Sequence, residues 1–269
     1  MSTYADWFAW FEETSFWGWF TSIPKWMAPV WLQEWVAKFC YQFYQTFIFN
    51  NRWTFFVDGL KITFIVTNGA LILGIIIGLI VAVIRTSYDT VYKPNFLLRL
   101  FNALCKVYLA VIRGTPMMVQ LLIMGFVVMV PKEQTGMIIC GIITLGINSG
   151  AYVAEIARSG LQSVDSGQME AGRSLGLSYL QTMRKIVIPQ AIKNILPALG
   201  NEMITLLKDT SLVSVIALRD VTKQAQNIVA KTYQAYMPYI SLAVIYLIIV
   251  LFLTKLLTIF ERRLRKSER

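Results

Sequence analysis

The sequence predicts an all-α integral membrane protein. Of its 269 residues, 56% are hydrophobic and only 15% are charged, whereas about 25% of the residues in soluble domains are charged. Long apolar runs recur along the chain, and ~20 apolar residues are enough for an α-helix to cross a bilayer. The basic residues gather mostly between these runs and at the C-terminus, as in the cytoplasmic loops of multi-pass proteins.

Composition also excludes several function classes. The chain contains no histidine, which removes His-based acid-base catalysis, the usual nucleophile triads and most zinc sites. It contains no Gly-x4-Gly-Lys-Ser/Thr loop for ATP. Cys40, Cys105 and Cys140 are isolated in apolar sequence, which indicates packing residues. We therefore predict no catalytic residue, metal site or cofactor in this chain. We ascribe its net charge of +10 to topology and lipid headgroups, not nucleic acid.

Residues 1–52 form a separate aromatic-rich segment. Seven tryptophans crowd the first 35 residues together with charged side chains. This pattern predicts helices in the headgroup zone, divided at Pro24 and Pro29. The start lacks the basic n-region and cleavage site of a signal peptide, so none is predicted. An alternative makes 31–49 a sixth span, which would place several polar side chains in lipid.

Residues 53–265 contain five predicted membrane spans, and a basic tail follows at 266–269. The spans cover about 59–84, 113–130, 136–158, 195–216 and 239–260. The tail and the polar segment 161–193 are basic, so both are predicted to be cytoplasmic. An odd number of spans then places the N-terminus outside.

The first and third spans carry signals of close helix packing. Gly74 and Gly78 lie one turn apart and allow another helix to approach. Small residues at 146–150 are typical of a tight interface or a cavity wall. Glu155 and Arg158, three residues apart, are expected to pair on one helix face.

Between the first two spans, residues 95–112 alternate charged and apolar side chains, which fits a helix lying on the inner surface. Thr115 is a good N-cap for the following helix, and Pro116 suits its first position.

The fourth span contains ionisable residues at depth. Lys208 and Asp209 follow Pro197 by ~17–18 Å of helix, and ionisable residues that deep in a membrane are commonly functional. The alternative is a mutually neutralised pair that fixes helix packing. In addition, Asp209, Thr210 or Ser211 could cap a new half-helix, whose positive end would suit the carboxylate of an amino acid.

The polar segment 161–193 predicts two short helices. Ser166 is suited to cap the first, and Ser178 forms a capping box with the glutamine three residues later. Gly176 separates the helices as a left-handed turn residue, and Pro189 is predicted to stop or kink the second. A rigid element of this kind between two spans has the shape of a docking site.

The same segment resembles the EAA loop of ATP-binding-cassette (ABC) importer permeases. It has Glu170-Ala171-Gly172, then Gly176, Ile186 and Ile188-Pro189, at the spacing of that family's Glu-Ala-Ala, Gly, Ile and Leu-Pro. Gly172 stands where the family usually has Ala, and Ile188 where it has Leu. Since glycine costs ~1 kcal/mol in a helix interior, Gly172 is expected to loosen the first helix.

From about 56 to 265 the sequence is similar to the polar amino-acid branch of these permeases. The matching segments are 113–116 (RGTP), 150–156 (GAYVAEI), 170–189, 206–216 (LLKDTSLVSVI) and 261–264 (ERRL). The resemblance implies a five-span type I importer fold with a cytoplasmic coupling helix, in a bacterial inner membrane. Its implied partners are a second permease subunit, two ATPase subunits that hold ATP and Mg, and an extracellular amino-acid-binding protein.

Two sets of site residues follow. The resemblance implies a coupling set, with Glu170 and Arg173 in docking: Gly167, Glu170, Ala171, Gly172, Arg173, Ser174 and Gly176. Depth and polarity select a substrate-pathway set, of which several members are expected only to bridge helices: Asn68, Gln120, Asn148, Tyr152, Asn201, Thr205, Asp209 and Ser211.

The main alternative function is an ion-coupled secondary transporter or channel that uses Lys208 and Asp209. It would work without ATP, and it gives no reason for a capped cytoplasmic element. A membrane-bound enzyme ranks third, because the chain lacks both histidine and a nucleophile motif.

Overall fold

The computed structural model describes residues 30–266. The predictions for 1–29, including the helices divided at Pro24 and Pro29 and the absence of a signal peptide, lie outside the described residues, as do the last three residues of the tail. Between residues 30 and 266 the chain forms helices and turns and no strand. The predicted all-α membrane fold class is confirmed.

Ten α-helices follow one another along the described range. They are α1 Val30–Phe43, α2 Trp53–Thr90, α3 Phe96–Gly114, α4 Met117–Ile123, α5 Gln134–Gln162, α6 Ser166–Ser174, α7 Tyr179–Thr182, α8 Ile188–Asp209, α9 Val221–Thr232 and α10 Tyr236–Lys266. Short π turns occur at Tyr44–Ile48, Met124–Val128 and Met183–Val187, and 3-10 helices at Phe49–Asn51 and Thr210–Ile216.

Within the described range, three helices are long and apolar enough to cross a membrane: α2, α5 and most of α10. Together, α3 and α4 with its π turn could make a fourth span, although they are bent by 106°. The chain is therefore a multi-pass membrane protein. The predicted span 195–216 falls on α8 and the 3-10 helix after it, where polar residues interrupt the apolar sequence, and the total of five crossings stays a prediction. α1 continues through a π turn to Ile48, and the alternative of a sixth span at 31–49 stays a prediction.

The most extensive helix packing among the described residues joins α2 and α5, which run parallel. A Cβ added to Gly74 would lie 2.9 Å from Ser149 Cβ, and one added to Gly78 would lie 2.6 Å from Val153 Cβ. Carbon atoms of side chains do not approach so closely, so glycine is required at both positions. The predicted approach of a second helix at this glycine pair is confirmed.

Within residues 30–266, three buried clusters hold the helices together. The largest joins α2, α4, α5 and α8 around Val66, Leu121 and Leu145. The second packs α3 on α2 and α5, and the third packs α9 on the start of α2. Because lipid is as apolar as these side chains, tight packing rather than transfer from water stabilises such contacts inside a membrane.

The N-terminus of α9 fixes that helix against α2. Asp220 is fully buried, and its carboxylate accepts hydrogen bonds from the N–H groups of Thr222 at 3.0 Å and Lys223 at 2.9 Å. The N–H of Val221 donates to Thr63 Oγ1 on α2 at 3.3 Å. Burial raises the pKa of Asp220 to about 6, although these backbone donors oppose the shift.

Two predicted helix caps are absent. Thr115 Oγ1 donates to Val111 O at 2.8 Å, so its hydroxyl serves α3, and Pro116 takes the N-cap position of α4 instead. The predicted half-helix at 209–211 is also wrong. Thr210 Oγ1 donates to Leu207 O at 2.6 Å, and the Asp209 side chain caps nothing. Since α8 continues directly into a 3-10 helix, no new helix N-terminus forms there.

Candidate functional site

The polar segment folds into a compact projection, which we call the knob and define as residues 165–182. Its first helix, α6, is capped by Asp165, whose carboxylate accepts from the N–H of Gly167 at 2.7 Å. The prediction of Ser166 as the cap is wrong by one residue, because Ser166 is already helical and Asp165 has the non-helical backbone of a cap (φ −56°, ψ 131°).

The second helix of the knob starts as predicted. Ser178 Oγ accepts from the N–H of Gln181 at 3.3 Å, and Gln181 Oε1 accepts from the N–H of Ser178 at 2.8 Å. This reciprocal pair confirms the capping box. Gly176 has φ of 84°, which confirms the left-handed turn, and the N–H of Leu177 returns to Gly172 O at 3.1 Å. Caps and turn together make the knob rigid.

Gly172 is the point where α6 touches α7. A Cβ at this position would lie 2.5 Å from Thr182 Cγ2 and 3.1 Å from Ile186 Cδ1. Only glycine allows the two helices to come this close. The expected loosening of α6 is therefore offset by closer contact with α7.

Pro189 does not end the second helix. A π turn joins α7 to α8, and Pro189 lies in the first turn of α8, which runs unbroken to Asp209. The predicted stop at Pro189 is wrong, because helical backbone continues through it, and the alternative of a kink stays a prediction.

The predicted coupling residues line the free side of the knob, except Gly172, which is buried. Glu170, Ala171, Arg173, Ser174 and Gly176 are exposed, and Gly167 is partly exposed. No ion pair holds Glu170 or Arg173 within the part of the chain that the structure describes. Leu175 and Leu180 are 81% and 74% exposed. Free charges beside exposed leucines indicate a protein-binding surface.

Side-chain hydrogen bonds attach the knob, and Ser163 just before it, to α8. Gln190 Nε2 donates to Gln168 Oε1 at 3.3 Å, and Asn194 Nδ2 donates to Ser163 Oγ at 2.8 Å. From these residues α8 continues to Asp209, a helix of roughly 30 Å in all. Displacement of the knob would therefore pull directly on a helix that enters the predicted membrane region.

Two predicted pathway residues meet beside the bend between α3 and α4. Gln120 Nε2 donates to Ile112 O at 2.8 Å and to Thr115 Oγ1 at 2.7 Å. Gln120 Oε1 in turn accepts from Asn148 Nδ2 at 2.9 Å. Gln120 thus satisfies a carbonyl near the end of α3 and ties the bend to α5, so part of its role is structural.

A strip of polar side chains continues down α5 from Asn148. Tyr152 lies one turn further along, and its ring centroid is 5.7 Å from Arg113 Cζ. Arg113 Nη1 lies 4.0 Å from Glu155 Oε2, and Glu155 also pairs with Arg158, as predicted. These ion pairs are partly exposed and worth about 0–1 kcal/mol each. An open cavity of about 460 Å³ lies beside them.

Two residues that take part in these contacts, Arg113 and Glu202, are absent from the predicted site residues. The sequence signal for Arg113 is its position in the RGTP segment, immediately before the bend. Glu202 Oε1 accepts from Ser149 Oγ at 2.7 Å and so joins α8 to α5. Glu202 and Asp209 are seven residues apart, which places both on one face of α8.

The other pathway candidates do not join this strip. Asn68 is exposed on α2 and donates to Phe64 O of its own helix at 2.8 Å. Asn201 and Thr205 share an exposed face of α8, where Thr205 Oγ1 donates to Asn201 O at 3.1 Å.

The ionisable pair at the end of α8 does not make a contact ion pair. Asp209 is partly buried, and no carboxylate oxygen of the described residues lies within 4.0 Å of Lys208 Nζ. Lys208 and Ser211 line a separate cavity of about 390 Å³ beside Tyr246 of α10.

Comparison with known proteins decides the family. Residues 70–266 match the model of the binding-protein-dependent transport system inner membrane component. The chain belongs to this family. The predicted ABC importer permease fold and class are thereby confirmed.

Individual relatives of this permease cover most of its length. It is 36% identical to the arginine transport system permease protein ArtQ of Bacillus subtilis, over 80% of this chain and 94% of that protein. It is also 36% identical to the glutamine transport system permease protein GlnP of Escherichia coli K12, over 78% of this chain and 92% of that protein.

Solved structures agree. A chain in the crystal structure of an amino acid ABC transporter with histidines is 43% identical and superposes with a TM-score of 0.70, over 78% of this permease and 94% of that chain. A chain of the MetNI methionine ABC transporter in an inward-facing conformation has a TM-score of 0.64 at 18% identity, which shows a shared fold alone.

Proposed function

We propose that this permease forms the translocation pathway of an ATP-driven importer for a polar amino acid in a bacterial inner membrane. The relatives named for glutamine and arginine transport support this substrate class. The proposed assembly contains a second permease subunit, two cytoplasmic ATPase subunits and an extracellular binding protein. ATP and Mg are held by the ATPases, and this chain carries no catalytic group or cofactor.

The knob is the observation that carries the proposal. Two capped helices, a left-handed glycine and free charges at Glu170 and Arg173 form a rigid docking surface between α5 and α8. An ion-coupled transporter has no use for such a surface. The knob and the C-terminus would then lie in the cytoplasm and the N-terminus outside.

Alternating access follows from how the knob is connected. ATP-driven closure of the ATPase dimer would move the knob as a rigid body, and α8 would carry this motion toward Asp209. The polar strip on α5 offers a second connection. Arg158, at its inner end, lines a cavity of about 260 Å³ together with Met169 and Tyr179 of the knob.

The substrate pathway is proposed to involve the polar candidates on the spans. Asn148→Ala would remove the hydrogen bond to Gln120. Asp209→Asn would remove the negative charge and leave the shape of the side chain unchanged. Measured transport affinity tests both variants, and we expect the apparent KM to rise in each. Unchanged substrate affinity in both would remove these residues from the pathway.

Copurification and uptake test the function itself. The tagged chain should retain two ATPase subunits and a second permease subunit. Proteoliposomes containing this complex and the binding protein should take up glutamine or arginine only when ATP is present on the side of the membrane that carries the ATPase subunits. Solute flux through the chain alone, without ATP, would instead support the secondary transporter or channel.

A further inference from the structure

Helix α3 carries a line of positive charge along one face. Arg99, Lys106 and Arg113 are spaced seven residues apart, and seven residues make close to two helical turns, so the three side chains leave α3 on the same side. We call these three residues the basic line. Residues 91–114 contain four basic residues and no acidic residue. The charge on α3 is therefore of one sign.

The first two members of the basic line are free of ion pairs. Arg99 and Lys106 are exposed, and no carboxylate oxygen of residues 30–266 lies within 4.0 Å of their side-chain nitrogens. Lys106 Nζ lies 6.0 Å from the ring centroid of Tyr88, and Arg99 Nε donates to Pro94 O at 3.1 Å. An anion can therefore reach this face without displacing a carboxylate.

The basic line ends at a cavity that also has excess positive charge. Arg85 of α2, Arg113 and Glu155 all line the open cavity of about 460 Å³. Glu155 supplies the single carboxylate among the described lining residues, and it is already paired with Arg158. Asp89, one turn after Arg85, forms no ion pair within the described range. Arg85 Nε is buried and has no hydrogen-bond partner there, and arginine is well suited to bind a phosphate group.

A different face of α3 is apolar and exposed. Its side chains that are more than half exposed are Phe96, Leu97, Leu104, Val107 and Val111. A third face, with Cys105 and Leu109, packs on α2 and α5. By the period of an α-helix, Ala103 and Ala110, both exposed, lie between the basic line and the apolar face. One side of α3 is thus held by protein, one is apolar, and one is basic.

This arrangement fits a phospholipid better than a free anion. A free phosphate group would use the basic line alone and leave the apolar face in water. A phospholipid uses both, because its acyl chains contact the apolar side chains while its headgroup meets the basic ones. The two faces adjoin across small alanines, so one lipid molecule can reach both.

The position of α3 indicates the inner leaflet. Glu155, which lies 4.0 Å from Arg113, pairs with Arg158, and Arg158 lines a cavity together with Met169 and Tyr179 of the knob. α3 therefore lies at the knob end of the membrane helices. In the proposed orientation this end is cytoplasmic, where anionic lipids attract basic segments beside a membrane span.

We propose that α3, with the cavity beside Arg85, is a binding site for an anionic phospholipid of the inner leaflet. The phosphate lies on the basic line and the acyl chains lie along the apolar face. The assignment to the inner leaflet rests on the proposed function, whereas the lipid chemistry rests on α3 itself. Because Gln120 ties the end of α3 to α5, bound lipid would also hold the bend before α4 in place.

Lipid titration of the purified complex tests this site. The tagged chain, with the subunits that copurify with it, would be delipidated in neutral detergent and titrated with dioctanoyl phosphatidylglycerol or dioctanoyl phosphatidylcholine while the melting temperature is measured. We expect phosphatidylglycerol to raise the melting temperature and phosphatidylcholine to change it little. Arg99→Gln with Lys106→Gln should raise the half-saturating concentration of phosphatidylglycerol about tenfold, because two attractive charges are lost.

Two further variants separate charge from apolar contact. Arg262→Gln with Arg263→Gln removes the same charge from exposed positions near the end of α10, and it should leave the half-saturating concentration unchanged. Val107→Gln keeps every charge and makes the exposed apolar face polar, so it should weaken binding by a smaller factor. Equal melting temperatures before lipid is added would show that all variants are folded.

Each contrary outcome overturns the proposal in a recognisable way. Equal half-saturating concentrations in wild type and the Arg99→Gln, Lys106→Gln variant would remove the site, while ATP-driven uptake would still test the proposed function separately. An equal rise in the α10 control would assign the effect to net charge. Stabilisation by inorganic phosphate as large as that by phosphatidylglycerol would assign the cations to a free anion. Loss of the copurifying subunits with unchanged lipid binding would assign the basic line to a protein contact.

Discussion

At position 172, a hydrogen atom replaces the methyl group of the usual EAA loop, and the knob depends on this difference. Gly172→Ala would gain ~1 kcal/mol in helix propensity. It would also place a methyl group 2.5 Å from Thr182 Cγ2, and overpacking of this kind costs about 1–3 kcal/mol. Thr182 is fully buried and bonded to Ser178 O, so it cannot yield easily. We expect thermal unfolding of the purified chain to show a net loss of about 1 kcal/mol.

A second substitution isolates this contact. Thr182→Ser removes Cγ2 and keeps the hydroxyl group that donates to Ser178 O. The double variant Gly172→Ala with Thr182→Ser should therefore recover most of the lost stability. If Gly172→Ala were equally destabilising in both backgrounds, contact with the Thr182 methyl group would not be the cause.

The buried carboxylate of Asp220 predicts that the stability of the folded chain depends on pH. Its pKa is raised from 3.8 to about 6 in the folded chain, so the folded state binds more protons than the unfolded state between these values. The contribution of Asp220 is therefore most favourable below about pH 4, and it is lost as pH rises through about 6, by about 3 kcal/mol.

Asp220→Asn provides the comparison, because the amide oxygen can still cap α9. Unfolding in detergent at several pH values should show wild type losing stability relative to the variant between about pH 4 and pH 6. Parallel pH profiles for the two proteins would contradict the raised pKa.

At the scale of helices, the sequence predicted those features whose partners lie within a few residues. The capping box at Ser178 and the turn at Gly176 depend only on neighbouring backbone, and both are present. The Thr115 and Thr210 caps failed because a hydroxyl group in or beside a helix can also donate to a preceding carbonyl, and pattern alone does not choose between the two bonds. Glu202 was missed because its partner, Ser149, is 53 residues away.

The packing of α2 on α5 predicts a contrast between two glycines. Gly78→Ala would place Cβ 2.6 Å from Val153 Cβ, whereas a Cβ at Gly114 would meet nothing within 4 Å. We expect Gly78→Ala to lower the free energy of unfolding by about 1–3 kcal/mol and Gly114→Ala to leave it nearly unchanged. Comparison of the two melting temperatures in the same detergent checks this, and equal melting temperatures would mean that α2 and α5 can separate without cost.

For the whole molecule, sequence pattern predicted the fold class and the position of the knob, since both depend on long stretches of composition. It did not predict how the pathway candidates assemble. Gln120 and Asn148 meet directly, Tyr152 reaches Arg113, and Asn68 bonds only within its own helix. These relations depend on the bend between α3 and α4 and on the packing of α5, which no local motif specifies.

Coupling through the knob is the central claim, and Glu170→Lys tests it most directly. The assembled transporter would be assayed for ATP hydrolysis and amino-acid uptake together, with Glu261→Lys as a control that makes the same charge change away from the knob. We expect Glu170→Lys to lower uptake per ATP hydrolysed by about tenfold, because ATPase closure would no longer be passed to the spans, while the melting temperature stays that of wild type. Wild-type uptake per ATP in the Glu170→Lys transporter would contradict the assignment of the knob as the coupling element.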